Sequence, residues 1–232
     1  MKADLQAQRV LVWSALITAA LYCVGYYLTG MFPPPSPLLG SADVLNLYSA
    51  DVLQVKMGVV ICLTSAGFYI PWSVAVARQM SRHEEGYATW STLQLVAGAL
   101  GCLTFVLPAF FWGVAAFSVE RNPDLTLLMH EIAYLALVTP ISFFPFQVIP
   151  MVVISFRQKD EYLSAFPRWI GYFSLWMLAI GEMGVLAQVF KIGPFAWNGA
   201  IAFWLPLTAF TLWICVICRM ILRASYRQSL AS

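Results

Sequence analysis

Glu182 is the residue most out of place in this chain. It stands about 14 residues beyond Arg168, roughly 20 Å of helical rise into a run at residues 169–190 that holds no other charge. At that depth in hydrocarbon a carboxylate costs several kcal/mol unless it is paired, hydrated or protonated. Gly181 and Gly184 remove bulk around it, so a second helix or a ligand has room to approach. Two readings follow: Glu182 faces the bundle interior as a hydrogen-bond anchor or proton carrier, or it only staples helices together. His130 and Glu131 lie in the same outer half of the membrane and would complete a small titratable group with it. Gln147 sits in a proline-broken stretch and marks a polar cavity, while Trp176 places an indole N–H deep in the bilayer, where a bare donor needs a partner. Glu182, His130, Glu131, Gln147 and Trp176 are therefore the candidate ligand-binding residues. Lys191, nine residues after Glu182 at 100° each, falls on the opposite face and is a poor partner for it. Gln94, nearer the other side, reads as an interhelical hydrogen-bond donor.

Other chemistry finds little support. Cys215 and Cys218 form a C-x-x-C, yet no second pair and no nearby His completes a zinc set, and all five cysteines fall in apolar runs where they act as small packing residues. Only His83 and His130 are present, on opposite sides, which argues against multi-haem and histidine-rich di-iron centres. There is no P-loop, G-x-S-x-G or H-E-x-x-H, and no nucleophile and base pair suited to lipid chemistry. No catalytic residue, metal or cofactor is assigned. A net charge of +2, accounted for by topology, argues against nucleic acid.

The elements that must position these residues are membrane helices. A chain of 232 residues with 61% hydrophobic and 10% charged side chains has too little polar surface to cover a water-soluble fold. Runs of about 20 apolar residues, enough to cross 30 Å of hydrocarbon, recur at residues 10–28, 57–77, 91–117, 125–156, 169–190 and 199–222. The spacing predicts an all-α, polytopic bundle of six transmembrane helices, several kinked by proline, forming one domain over residues 1–232. Ten of the thirteen Lys and Arg residues gather on one side: Lys2, Arg9, Arg78, Arg82, Arg157, Lys159, Arg168, Arg219, Arg223 and Arg227. By the positive-inside rule both termini are cytoplasmic. The first run is too long for the 7 to 15 residues of a signal-peptide core and reads as a retained helix.

The connections add detail. Outside, residues 32–37 are proline-rich and stiff. A near-repeat follows, Ser41-Ala42-Asp43-Val44-Leu45-Asn46 and Ser49-Ala50-Asp51-Val52-Leu53-Gln54, in which each Ser can cap a helical turn. It predicts a short outer interfacial helix near residues 41–53. Inside, residues 81–86 and 157–161 read as charged, solvated loops, and Pro167 opens the fifth span. Trp90 and Trp169 fit the cytoplasmic interface, Trp112 and Trp197 the outer one, with Trp72, Trp176 and Trp204 deeper. The fourth run carries Pro140, Pro145 and Pro150, so residues 139–150 cannot be regular helix throughout. The freed carbonyls need a neighbouring helix, a hydroxyl such as Ser142, or water.

Two functional classes fit this pattern. In the first, the chain binds or transports a small apolar or amphipathic molecule in an intramembrane pocket near Glu182. In the second, it is a structural or accessory subunit of a membrane complex, or a homo-oligomer, whose Gly98-x-x-Gly101 and Gly181-x-x-Gly184 pairs dock partner helices. Its expected surroundings are the lipids of a cell inner membrane.

Overall fold

The computed structural model describes residues 2–139, 142–159 and 162–231. Pro140 of the predicted proline triplet, and Asp160 and Glu161 of the second charged loop, lie outside the described residues. The chain is all-helical, with no strand among the described residues. The helices are α1 (Lys2–Leu28), α2 (Ser41–Ser49), α3 (Val52–Ala66), α4 (Tyr69–Met80), α5 (Thr89–Leu100), α6 (Leu103–Phe117), α7 (Pro123–Val138), α8 (Phe144–Arg157), α9 (Arg168–Gly181) and α10 (Leu205–Leu230). A 3₁₀ segment, Glu182–Gln188, extends α9, and a π-helical turn, Ala200–Trp204, leads into α10. Five stretches are long and apolar enough to cross a membrane: Asp4–Leu28, Val52–His83, Thr89–Phe117, Arg168–Gln188 and Gly193–Leu230.

Few of these stretches are one uniform helix, and proline accounts for several of the breaks. Because proline lacks an N–H, it is cheapest in a helix's first turn, and the residue before it resists helical geometry. Pro71 is the third residue of α4, while Pro145 and Pro206 are the second residues of α8 and α10. Each follows a break or a change of helix type. The predicted fourth span is accordingly two shorter helices, α7 and α8, rather than one rod. At the end of α7 the Thr139 hydroxyl, rather than the suggested Ser142, donates back to the Leu135 carbonyl. Pro108 and Pro150 stand inside α6 and α8.

The packing order is simple. α1 lies against α3, α4 and α10, α4 against α5, α6 against α3 and α7, and α8 against α5 and α9. Two apolar clusters fill the interior, one around Trp72, Phe144 and Trp213, the other around Tyr26, Trp112 and Tyr134. Trp112 and Trp197 belong to the second cluster and are buried within the protein. Trp112 stacks on Tyr26 with ring centroids 4.9 Å apart, and the Trp197 indole donates to the Pro35 carbonyl at 2.9 Å. The Trp197 N–H is thus satisfied within the protein, while the buried Trp112 N–H has no partner among the described residues.

The near-repeat splits into two helices. α2 buries Val44 and Tyr48 against α7, and Gly40, not Ser41, stands at its cap without a side-chain bond. α3 is capped by Asp51, whose carboxylate accepts from the Gln54 N–H at 3.0 Å. Ser49 is spent elsewhere, donating to the Leu45 carbonyl at 2.9 Å.

The first turns of α1 and the last of α10 meet in a polar network. Gln79 Nε2 donates to Gln8 Oε1 at 2.7 Å, while Gln228 Nε2 donates to Gln79 Oε1 at 3.1 Å and to the Leu163 carbonyl at 2.8 Å. Arg9 donates to the Ser225 carbonyl and to Ser229 Oγ, both at 2.8 Å, and Arg82 pairs with Asp4 at 3.4 Å. Several helices are thereby tied together at one level, with most of the amide capacity used.

Candidate ligand-binding cavity

The irregularities of the backbone converge. A cavity of about 130 Å³ lies where five breaks or changes of helix type meet. Tyr69 comes from the break between α3 and α4, Gly101 and Thr104 from that between α5 and α6, and Val138, Phe144 and Gln147 from the gap between α7 and α8. The switch of α9 to 3₁₀ geometry adds Met177 and Gly181, and the π turn adds Ala202 and Phe203. A broken helix presents side chains at angles that a regular rod does not, and it lets neighbouring backbones part. The size is close to that of a dry apolar cavity, about 150 Å³, that accepts benzene.

The walls are nearly all apolar. Their polar groups are Thr104 and the pair of Tyr69 and Gln147, whose Nε2 donates to the Tyr69 hydroxyl at 2.8 Å. The Tyr69 hydroxyl in turn lies 3.1 Å from Gln147 Oε1. No charged side chain lines the cavity among the described residues.

The five candidate residues part company. Gln147 is in the cavity wall and only 1% exposed. Glu182 follows the lining residue Gly181 but does not itself line the space; it is half-buried, and its Oε1 is buried with no hydrogen-bond partner among the described residues. His130 is 1% exposed in the second aromatic cluster, with Nδ1 2.9 Å from the Tyr48 hydroxyl and Nε2 unpartnered among the described residues. Burial pushes the Tyr48 hydroxyl well above its usual range, so it stays protonated and can donate to that ring. Glu131, the next residue, turns the other way and pairs with Lys191 at 3.4 Å. Trp176 is 48% exposed and stacks on Phe173. No bond joins Glu182 to His130 or Glu131 among the described residues. The turn of 100° per residue that separated Lys191 from Glu182 does not apply, because residues 182–188 are 3₁₀.

Both glycine pairs are consumed within the chain. A Cβ on Gly98 would lie 2.0 Å from Ser73 Oγ and 3.1 Å from Gln147 Nε2, and one on Gly101 would lie 2.9 Å from the Tyr69 ring. On Gly184 it would lie 1.8 Å from the Val138 carbonyl oxygen, a backbone atom that cannot swing aside. These glycines admit the chain's own helices, which corrects their reading as docking faces for a partner. Gln94 behaves as read from the sequence, donating to Ser73 Oγ at 3.2 Å.

Sequence reasoning missed Tyr69, Thr104 and Phe210 as lining residues. The available signal was Gly101, whose missing side chain makes the space that Tyr69 and Gln147 share. No protein family, no curated protein and no solved structure matches this chain.

Proposed function

We propose that this protein binds or carries a small apolar or amphipathic molecule in the cavity where its broken helices meet. The observation behind this reading is that convergence: five departures from regular helix surround one apolar space. Breaking a helix in lipid is costly, since each freed backbone group must find another partner, and such breaks are tolerated where they serve a cavity. Walls that are apolar with a few placed polar groups suit a small-molecule site.

The membrane frame of the proposal is a six-crossing bundle with both termini in the cytoplasm of a cell with an inner membrane. The sixth crossing is the discontinuous pair α7 and α8. α7 packs along α6 and α8 along α5, so together they run antiparallel beside the apolar stretch Thr89–Phe117. Arg9 with Ser225 ties the start of α1 to the end of α10, and Arg82 with Asp4 adds the second loop to the same end. The weight of Lys and Arg at that end supports a cytoplasmic assignment. A reporter fused after Arg227 is expected to map inside; an outside signal would remove the six-crossing frame.

The ligand reading is tested by purifying the chain in mild detergent and titrating toluene while following thermal unfolding. Wild type is expected to gain several degrees at saturation, because a ligand that binds only the folded state stabilises it by mass action. Thr104→Trp, which fills the space, is expected to lose the gain. A wild-type transition that does not move, with no small molecule in an organic extract of the pure protein, would reject the reading.

A further inference from the structure

We propose that the cavity selects an uncharged molecule with an apolar body and one hydrogen-bond acceptor, such as a ketone or ether oxygen, and that Gln147 and Tyr69 recognise that acceptor. The inference rests on the ligand reading given above and moves the polar anchor away from Glu182 and His130, neither of which lines the space.

The donor count carries the proposal. An amide side chain has two N–H donors. One N–H of Gln147 goes to the Tyr69 hydroxyl at 2.8 Å, and no described residue accepts the other. Gln147 is 1% exposed, so bulk water does not take it either. Unpaired buried N–H groups are rarer than under-used carbonyl oxygens, because a carbonyl keeps a second lone pair while a donor has nothing else to offer. The surplus on Gln147 is therefore a donor, and its complement is an acceptor. The Tyr69 hydroxyl, 3.1 Å from Gln147 Oε1, is a second donor that can turn to the same ligand atom.

The surroundings hold this pair in place. Gly98 is what lets the Gln147 amide and the Ser73 hydroxyl press against α5, since a Cβ there would crowd both. Ser73 is engaged by Gln94 at 3.2 Å and makes no bond to Gln147. On the other side Tyr69 packs against Trp72 and Phe105, with ring centroids 5.1 and 5.6 Å away. An ionised ligand would enter without a counter-charge and lose its hydration, which this wall cannot replace.

The test uses an isosteric pair, cyclohexanone and methylcyclohexane, titrated by ligand-observed NMR against the full chain in nanodiscs, with empty nanodiscs subtracted. Wild type is expected to prefer the ketone about tenfold, the scale of one buried hydrogen bond. In Gln147→Leu that preference is expected to vanish while methylcyclohexane binds as before. Gly98→Ala, whose methyl would force Ser73 aside and press on the Gln147 Nε2 at 3.1 Å, is expected to weaken the preference and serves if Gln147→Leu does not fold. Equal binding of both probes to wild type, or a preference that survives in the variants, overturns this inference and leaves the apolar pocket standing. Binding of neither probe overturns both.

Discussion

The end of the bundle where the termini meet and the middle, where the helices break, handle polar groups in opposite ways. At the terminal end, Gln8, Gln79 and Gln228 exchange hydrogen bonds with one another and with Ser225 and a backbone carbonyl, along uninterrupted turns of α1, α4 and α10. In the middle, Gln147 and Gln94 keep unused donor or acceptor capacity beside interrupted helices. A network that spends most of its amide capacity on itself fixes geometry and leaves little for a ligand. An unsaturated pair facing a cavity is costly to the empty protein and useful only when something arrives. The contrast separates an architectural polar cluster from a receptive one, although both are built on glutamines.

Four variants put this contrast to the test. The largest effect is expected from Gly184→Ala, which drives a methyl into the Val138 carbonyl beside the α7 break. A loss of about 3 kcal/mol is expected, read as a lower thermal midpoint in detergent. Next comes Gln79→Leu, which strands the Gln8 and Gln228 carbonyl oxygens and the Ser225 hydroxyl; about 2 kcal/mol should be lost, and chemical denaturation would measure it. An unchanged midpoint there would mean that the terminal network is ornamental to stability. Thr104→Leu should raise stability by about 1 kcal/mol by filling the cavity, with toluene stabilisation falling in the same preparation. The smallest change belongs to the double variant Tyr69→Phe with Gln147→Leu. Removing both partners at once leaves no orphan, so stability is expected to stay within about 0.5 kcal/mol of wild type while ketone preference disappears. A large loss from the double variant would show the pair to be architectural, like its counterpart at the terminal end.

Parts of this arrangement were legible in particular residues. The uncharged runs gave the all-helical class and the membrane-compatible stretches, because the need to solvate or hide a backbone in lipid leaves few other options. Pro140, Pro145 and Pro150 announced that the fourth run could not be one rod. Gln147 was legible as a buried amide in a broken segment. Glu182 drew attention for a sound energetic reason, yet depth along a helix does not say which way a side chain turns once the helix tightens to 3₁₀ at that very residue. His130 and Glu131, adjacent in sequence, face apart, one to Tyr48 and one to Lys191. The paired glycines were visible, but whether they admit a foreign helix or the chain's own depends on what lies opposite. Only the fold brings Ser73, Tyr69 and Val138 there.

Local rules therefore determined where helices form, where proline interrupts them and how charge is distributed between the two ends, since each depends on neighbours a few residues away. The tertiary structure alone decided that five interruptions on separate stretches would meet around one space, and that Gln147 rather than Glu182 would stand in its wall. Meeting is a matter of register between helices distant in sequence. That register is set by small residues such as Gly98 and Gly184, whose partners cannot be read from the residues beside them.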